Sequence, residues 1–539
     1  MTDRHTTPVP GTVPAPVSGP TFSRRRFLAA SGVLTAGAFP LAACGGEPGG
    51  TSASGAPSTG GAKALDTLAF GVASISDYLN PLSTTSSRVH WITDPVVEPL
   101  YTYDASLKSV PLLADGEPEI SEDGLTWTVK LKKGVTFHNG DPFTAEHVAA
   151  TLAFVTDPKS TSDWTAYFVG YVAKVTAPGD HTVKIKLTTP FGVLRSHLTN
   201  LPIVHKDFVK RTDTTLGTGP FKVDKVTQGQ QVTLTGHDAY HGTKPTLRGV
   251  AFQAVPDPAT RLVNLREGKI QIMTGVSPES AGLLKQDDKI RVHEIDAPSD
   301  IVTYFQAAKG PFTDAKVRQA LGHAMDRKGV RDVVYAGTAS IAQGPIGPAT
   351  EGHDPSIRLY AETPDAAKAK ALLAEAGVSS LSFTLTITND PVMKNIGQVL
   401  AEGWKQAGIT CTLEVLDIGP WVKKWASGEY QMAMTGFESG FGSGRTAFTL
   451  LGQMSSRNPL NFGYKNAEVD RLLGEAWAAT DEAARAEACK KIGKLLADDA
   501  ILLPPVYPKM IVAQRADLSA LDETLMSVSR VALPPLRSA

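Results

Sequence analysis

The chain has 539 residues with 53 basic and 54 acidic side chains, which give a formal net charge of −1 at pH 7. This length is enough for two or three lobes with buried cores. After residue 26 no basic run resembles a nucleic-acid footprint, and after residue 43 no apolar run could span a membrane. We therefore expect neither a nucleic-acid partner nor a membrane span in the body of the chain.

The N-terminal segment has the layout of an export signal. Arg24 and Arg25 stand in a basic cluster, and a charge-free run follows from Phe27, as in twin-arginine signals. The alternative is a membrane-spanning helix over residues 27–43, but this run is short and is interrupted by glycine and proline. The pattern predicts a signal peptide over residues 1–43.

The signal ends in a sequence that marks a lipid attachment site. Leu41-Ala42-Ala43-Cys44 resembles the lipobox of bacterial lipoproteins, in which the cysteine is lipidated and becomes the first mature residue. Residues 45–62 are rich in glycine and serine, and such a coil has a reach of roughly 20–25 Å. We expect an exported protein that is anchored through Cys44 to the outer face of the cytoplasmic membrane, on the periplasmic side or the cell surface.

Two further cysteines leave one question open. Cys411 and Cys489 could form a disulfide in an exported protein, or they could both be buried thiols. Their spacing is not that of metal ligands.

Strand and helix patterns alternate through the body of the chain. The predicted strands are 126–131, 171–177, 181–187, 231–235, 249–255, 270–272, 301–306, 382–388, 409–416 and 430–435. The predicted helices are 145–154, 260–267, 315–325, 364–376, 391–407, 420–427, 466–478 and 481–497. Segment 382–416 has the pattern of a β-α-β unit, which predicts parallel strands and an α/β fold. A glycine-rich loop is predicted over 436–446.

Six segments in chain order resemble one protein family. They are Glu98–Asp104, Asp123–Thr128, Leu131–Ala145, Gly217–Phe221, Pro311–Arg327 and Ala367–Gly377. Together they are similar to the dipeptide/oligopeptide class (family 5) of extracytoplasmic solute-binding proteins, which serve ABC importers.

The resemblance implies a bilobed periplasmic-binding-protein-like fold of the α/β class, with a hinge and an extra inserted subdomain. On that basis lobe I is expected at 63–100, 212–300 and 505–539, the inserted subdomain at 101–211 and lobe II at 301–504. It also implies a monomer that closes around a ligand between the lobes and then docks on the membrane subunits of an importer.

One loop bears on the ligand. Peptide-binding relatives carry an Asp for the peptide amine in a Gly-Trp-x-x-Asp loop, and the matching position here is Gly440. Glu438 is a candidate substitute, and Phe437 in place of the Trp could wall the pocket or belong to the core. Arg445 could pair with a ligand carboxylate or remain solvated, and Phe441 completes the set of candidates in this loop.

Aromatic and amide side chains elsewhere are further ligand-binding candidates. They suit an amphiphilic pocket, although each could instead be a core or turn residue. They are Tyr78, Asn80, Tyr304, Gln306 and Trp421.

Catalysis and cofactors are not expected. His237 and His241 have the i, i+4 spacing of helical metal ligands, but the segment has the pattern of a turn after a strand. The chain has no hydrolase signature in a convincing setting, so an exported surface hydrolase is only the remote alternative. The prediction is a binding protein for a peptide or peptide-like solute. A non-peptide solute, such as an oligosaccharide, a nickel chelate or an opine-like compound, is the other possibility.

Overall fold

A computed structural model describes residues 67–77, 79–104, 107–297, 299–438 and 447–518. The signal arginines, Cys44, the linker, Tyr78, Phe441 and Arg445 lie outside these residues, as do the side chains of Phe437 and Glu438. No helix of the described residues combines the length and hydropathy needed to cross a bilayer.

The largest sheet has seven strands. In spatial order they are Phe221–Thr227, Gln231–Gly236, Gly249–Ala254, Thr67–Val72, Ile272–Thr274, Lys509–Arg515 and Ile290–Asp296. Its central strand Thr67–Val72 is buried from its second residue onward and pairs in parallel with Gly249–Ala254. All its strands come from the ranges predicted for lobe I.

A four-stranded antiparallel sheet lies within the range predicted for the inserted subdomain. Its strands are Glu119–Ile120, Thr126–Lys130, Thr182–Leu187 and Val172–Gly179. Short pairs join Tyr101–Tyr103 to Ser109–Pro111, and Glu98–Pro99 to Pro202–Ile203. The pair of Glu98–Pro99 with Pro202–Ile203 joins the inserted subdomain to the end of the first lobe I segment.

The third large sheet has the strand order Ser299–Phe305, Met432–Glu438, Leu381–Thr388 and Ile409–Leu416. Leu381–Thr388 pairs in parallel with Ile409–Leu416, and the helix Pro391–Gln406 connects them. Asp390 caps that helix and Pro391 opens it, an arrangement that fixes its start. The predicted β-α-β unit and the mixed α/β class are confirmed.

Helices pack against the sheets. The α-helices are Ser87–Thr93, Ala145–Thr156, Thr165–Phe168, Leu194–Asn200, Pro258–Arg266, Pro278–Leu284, Ala315–Ala324, Arg327–Gly329, Ala366–Glu375, Pro391–Gln406, Ile418–Ser427, Phe448–Gly452, Ala467–Ala478 and Glu482–Asp498. Short 3₁₀ or π turns lie at Lys206–Phe208, Gly310–Thr313, Val330–Val334 and Pro459–Asn461. A short pair, Ser340–Ile341 with Val506–Tyr507, completes the strands.

Two predicted segments were wrong in their bounds. The strand expected at 270–272 runs over Ile272–Thr274, where it pairs with the central strand and with Lys509–Arg515. Residues 436–438, expected in a loop, belong to the strand Met432–Glu438, which pairs with Ser299–Phe305 through Glu438; the rest of the predicted loop, 439–446, lies outside the described residues. Ladder hydrogen bonds with a neighbouring strand here outweigh the local preference of Gly436 for a turn.

Both cysteines of the described residues are free thiols. Burial raises the pKa of each, to about 12 for Cys411 and about 12 for Cys489. They are therefore protonated and unreactive at neutral pH.

Candidate functional site

The register of the first sheet places several strand ends at one edge. Strands Gly249–Ala254 and Ile272–Thr274 run parallel to Thr67–Val72. Strand Ile290–Asp296 has the same direction, because it and Ile272–Thr274 are both antiparallel to Lys509–Arg515. The loops that follow these four strands therefore lie at one edge of the lobe I sheet.

The second sheet has a corresponding edge. Strands Leu381–Thr388, Ile409–Leu416 and Met432–Glu438 are parallel, so their carboxyl ends lie together. Ser299 lies opposite Glu438 at this same edge, because its strand is antiparallel to Met432–Glu438.

The chain crosses between the sheets at these two edges. Strand Ile290–Asp296 ends in the first sheet, and strand Ser299–Phe305 begins in the second directly afterwards. The chain returns from Val506–Tyr507 to Lys509, which lies opposite Asp296. The carboxyl ends of the parallel strands of both sheets therefore meet at the crossing, which is where open α/β sheets bind ligands.

Polar side chains follow the lobe II strands at this edge. Asn389 Nδ2 donates to Asp417 Oδ1 over 3.2 Å, and Lys394 Nζ donates to Asn389 Oδ1 over 3.1 Å. Asp390 Oδ1 accepts the backbone N–H groups of residues 392 and 393. These residues are not among the predicted site residues, because each has the sequence pattern of an ordinary helix-capping or turn residue. Two predicted strands of one β-α-β unit end just before these residues, and this pattern could have predicted their position at the sheet edge.

Three predicted ligand-binding residues are buried in the core of lobe II, and two of them, Tyr304 and Gln306, lie towards the opposite end of the sheet from this edge. Tyr304 and Trp421 are 3 % and 4 % exposed, and Trp421 Nε1 donates to the Thr386 carbonyl over 3.3 Å. Trp425 stacks on Trp421 and meets the Tyr304 ring edge-on. Gln306 Nε2 donates to the Gly428 carbonyl over 2.8 Å. In this structure these side chains pack against and support the strands that carry the edge.

Asn80 has a different structural role. It is fully buried, and its Nδ2 donates to the carbonyls of Phe208 and Arg211 over 2.7 and 2.6 Å. Its Oδ1 accepts the N–H of Leu82 over 2.9 Å. Asn80 thus ties the loop after the first strand to the inserted subdomain.

The two histidines with metal-like spacing belong to a hydrogen-bonded network. His237 Nδ1 lies 3.2 Å from the Gly219 carbonyl, and His241 Nε2 lies 2.8 Å from Glu98 Oε2. Thr218 and Tyr240 also donate to the Glu98 carboxylate, each over 2.7 Å. Within the described part of the chain, no cluster of three His, Cys, Asp or Glu side chains has the geometry to hold a metal ion. Both histidines act here in packing lobe I.

This fold, with two sheets that meet at a crossing, is that of a bilobed solute-binding protein. The model of the bacterial extracellular solute-binding proteins, family 5, matches residues 108–458. The chain belongs to this family.

Three relatives illustrate its range. The chain is 27% identical over 453 residues to a probable D,D-dipeptide-binding periplasmic protein of Escherichia coli, covering 81% of this chain and 87% of that protein. It is 26% identical to heme-binding protein A of Haemophilus influenzae, covering 74% and 78%. The fold matches an ABC transporter-associated periplasmic binding protein of Helicobacter pylori in complex with the peptide STSA, with a TM-score of 0.70, 24% identity and coverage of 88% and 98%.

Proposed function

We propose that this protein is the membrane-anchored solute-binding component of an ABC import system, which captures a ligand between its two lobes and delivers it to the permease. The observation that carries the proposal is the meeting of the carboxyl-end edges of both sheets at the interlobe crossing. Membership of the solute-binding family supports it, and its named relatives are binding proteins. The protein acts as a monomer without a cofactor and does not catalyse a reaction.

The ligand we propose is a peptide or a peptide-like compound with an ammonium group. Three parallel strands of the lobe II sheet end at or just before an acidic residue. Asp390 and Asp417 follow two of these strands, and Glu438 is the last residue of the third. Such an edge favours a cationic end group, and Glu438 would take the part of the Asp that is missing at Gly440. Phe437 and Phe441 would contact the apolar parts of the ligand, and Arg445 would pair with its carboxylate. Tyr78 would contact the ligand from the lobe I side.

Tyr304, Gln306 and Trp421 are proposed to support the sheet that carries this edge, because their side chains are buried in the core of lobe II. A non-peptide solute remains the second candidate. It is favoured by the glycine at position 440 and by the similarity to a heme-binding relative.

A thermal-shift screen tests the proposal. The full chain, purified in detergent, is heated with di- to pentapeptides, oligosaccharides, metal chelates and heme. A ligand at about 100 times its dissociation constant adds about 2.7 kcal/mol to the free energy of unfolding. We expect a shift with peptides that is reduced in Glu438→Gln and retained in the exposed control Glu122→Gln. Shifts with oligosaccharides alone would contradict the peptide assignment.

The proposed anchor has its own test. Replacing Cys44 by Ala removes the thioether that would carry the lipid, and stable attachment needs more than one acyl chain. We expect the Cys44→Ala protein in the soluble extracytoplasmic fraction and the wild type in the membrane fraction, as measured by fractionation and immunoblotting. Retention of the variant in membranes would contradict a lipid anchor.

A further inference from the structure

The inserted subdomain contacts lobe II through a short segment that begins at Gly192. The Gly192 N–H donates to the Trp477 carbonyl over 2.7 Å, just before the turn between the helices Ala467–Ala478 and Glu482–Asp498. A Cβ at position 192 would lie 2.0 Å from the Ala479 carbonyl oxygen. The two backbones therefore approach so closely that only glycine fits.

A buried arginine makes the second polar contact of this interface. Arg485 is 3 % exposed, and within lobe II it donates to Glu351 over 3.1 Å and to the Ala479 carbonyl over 3.2 Å. Its Nη2 reaches Ser196 Oγ of the inserted subdomain at 3.4 Å. The guanidinium is thus held by its own lobe and presents one edge to the inserted subdomain.

The apolar part of this interface borders an open groove. Val193 is 1 % exposed and lines a void of about 10 Å³ together with Leu451, Leu473 and Trp477. An open groove of about 390 Å³ lies beside it, with Tyr103 and Ser196 on one side and Thr350, Glu351 and Arg485 on the other. The contact is therefore bordered by solvent along this groove, which distinguishes it from the enclosed core of the inserted subdomain.

The opposite side of the inserted subdomain is joined to lobe I through a buried seam. His138 N–H donates to the Gly217 carbonyl and His205 N–H donates to the Leu216 carbonyl, each over 3.0 Å. Trp164 Nε1 donates to the Pro81 carbonyl over 2.8 Å. The backbone pair Glu98–Pro99 with Pro202–Ile203 adds to this seam. Separation of the two parts would leave these buried polar groups without hydrogen-bond partners, which costs free energy.

We propose that segment 192–196 and the turn 477–485 form a latch, which closes when lobe II approaches lobe I and the inserted subdomain, and separates when the lobes open. In this arrangement Arg485 biases the closed state, because it meets Ser196 of the inserted subdomain only when the latch is closed. A contact made only in the closed state raises ligand affinity by shifting the population towards that state. The inference rests on the proposed solute-binding function, because a latch serves a protein whose lobes open and close.

Hydrogen exchange of single backbone amides tests the latch without any ligand. In the full chain, purified in detergent, the amide of Gly192 reports on the contact with lobe II, and the amides of His138 and His205 report on the seam with lobe I. After correction for intrinsic rates, we expect the Gly192 amide to exchange at least about ten-fold faster than the other two. A smaller difference would overturn the proposal. Because no solute is added, a failed ligand screen leaves this result unaffected.

Glycine variants add a matched pair. Gly192→Ala places a Cβ against the Ala479 carbonyl, whereas a Cβ at Gly179 of the same subdomain meets nothing within 4 Å. We expect Gly192→Ala to remove the protection of its own amide and to leave the His138 and His205 amides as protected as in wild type. Gly179→Ala should change none of the three. Loss of protection at His138 and His205 in Gly192→Ala would show one rigid body and overturn the latch, as would retained protection at residue 192.

Discussion

The inserted subdomain meets lobe I and lobe II through two interfaces that are built differently. Towards lobe I it is joined by buried hydrogen bonds, such as those from the His138 and His205 amides to the carbonyls of Gly217 and Leu216. Towards lobe II the contact includes the Gly192 amide and Arg485, and an open groove lies beside them. A seam of buried hydrogen bonds resists separation, whereas a contact that borders solvent loses less when it opens. The difference indicates which boundary moves when a ligand enters.

The largest expected effect comes from breaking the lobe I network. Glu98 is 3 % exposed, and Glu98→Ala would leave His241, Tyr240 and Thr218 without their shared acceptor. Removing one partner from such a buried set costs about 3 to 5 kcal/mol. Urea denaturation should show this loss in the free energy of unfolding, and the exposed control Glu122→Ala should match wild type. A Glu98→Ala protein as stable as wild type would contradict the view of this network as a permanent part of lobe I.

Acid should weaken the seam between the inserted subdomain and lobe I. His138 Nε2 lies 3.0 Å from the Gly219 carbonyl, and burial, with smaller effects of His237 and Lys222, lowers the pKa of His138 from 6.5 to about 4. Between these values the unfolded chain binds a proton that the folded chain does not. The free energy of unfolding therefore falls as the pH drops from about 6.5 to about 4, by up to about 3 kcal/mol for this ring.

Urea denaturation across this pH range measures the effect. His138→Gln keeps an N–H donor for the Gly219 carbonyl but cannot titrate. We expect its stability to depend less steeply on pH than that of wild type between pH 6.5 and 4. Parallel curves for the two proteins would exclude His138 as a source of the acid sensitivity.

Local sequence signals predict most elements of lobe II but not the residues at its edge. The β-α-β unit over 381–416 is predictable because helix and strand periods alternate there and Asp390-Pro391 marks a helix start. Which strand ends share an edge depends on pairing between distant segments, such as Ser299 opposite Glu438. For the same reason the local pattern assigns Gly436 to a loop although it lies within a strand.

The roles of single residues in the predicted site also depend on tertiary contacts that the local sequence does not show. Trp421 and Asn80 are candidates because aromatic and amide side chains suit a ligand pocket, and the same chemistry suits a buried hydrogen bond. Only the fold reveals that the Asn80 amide is fully used by the carbonyls of Phe208 and Arg211 and the N–H of Leu82. Residue type therefore predicts polar sites, and tertiary contacts determine their roles.

The smallest expected effect lies at the lobe II contact. Val193 is 1 % exposed at this surface, whereas Val183 is fully buried within the sheet of the inserted subdomain. Val183→Ala removes two methyl groups from a permanent core, which should cost about 2 kcal/mol. Val193→Ala should cost less than about 1 kcal/mol in the ligand-free protein, because an open state already exposes that side chain to water. The free energies of unfolding of the two variants in urea compare the lobe II contact with the core of the inserted subdomain. Equal losses would mean that the inserted subdomain is packed as permanently on lobe II as within itself.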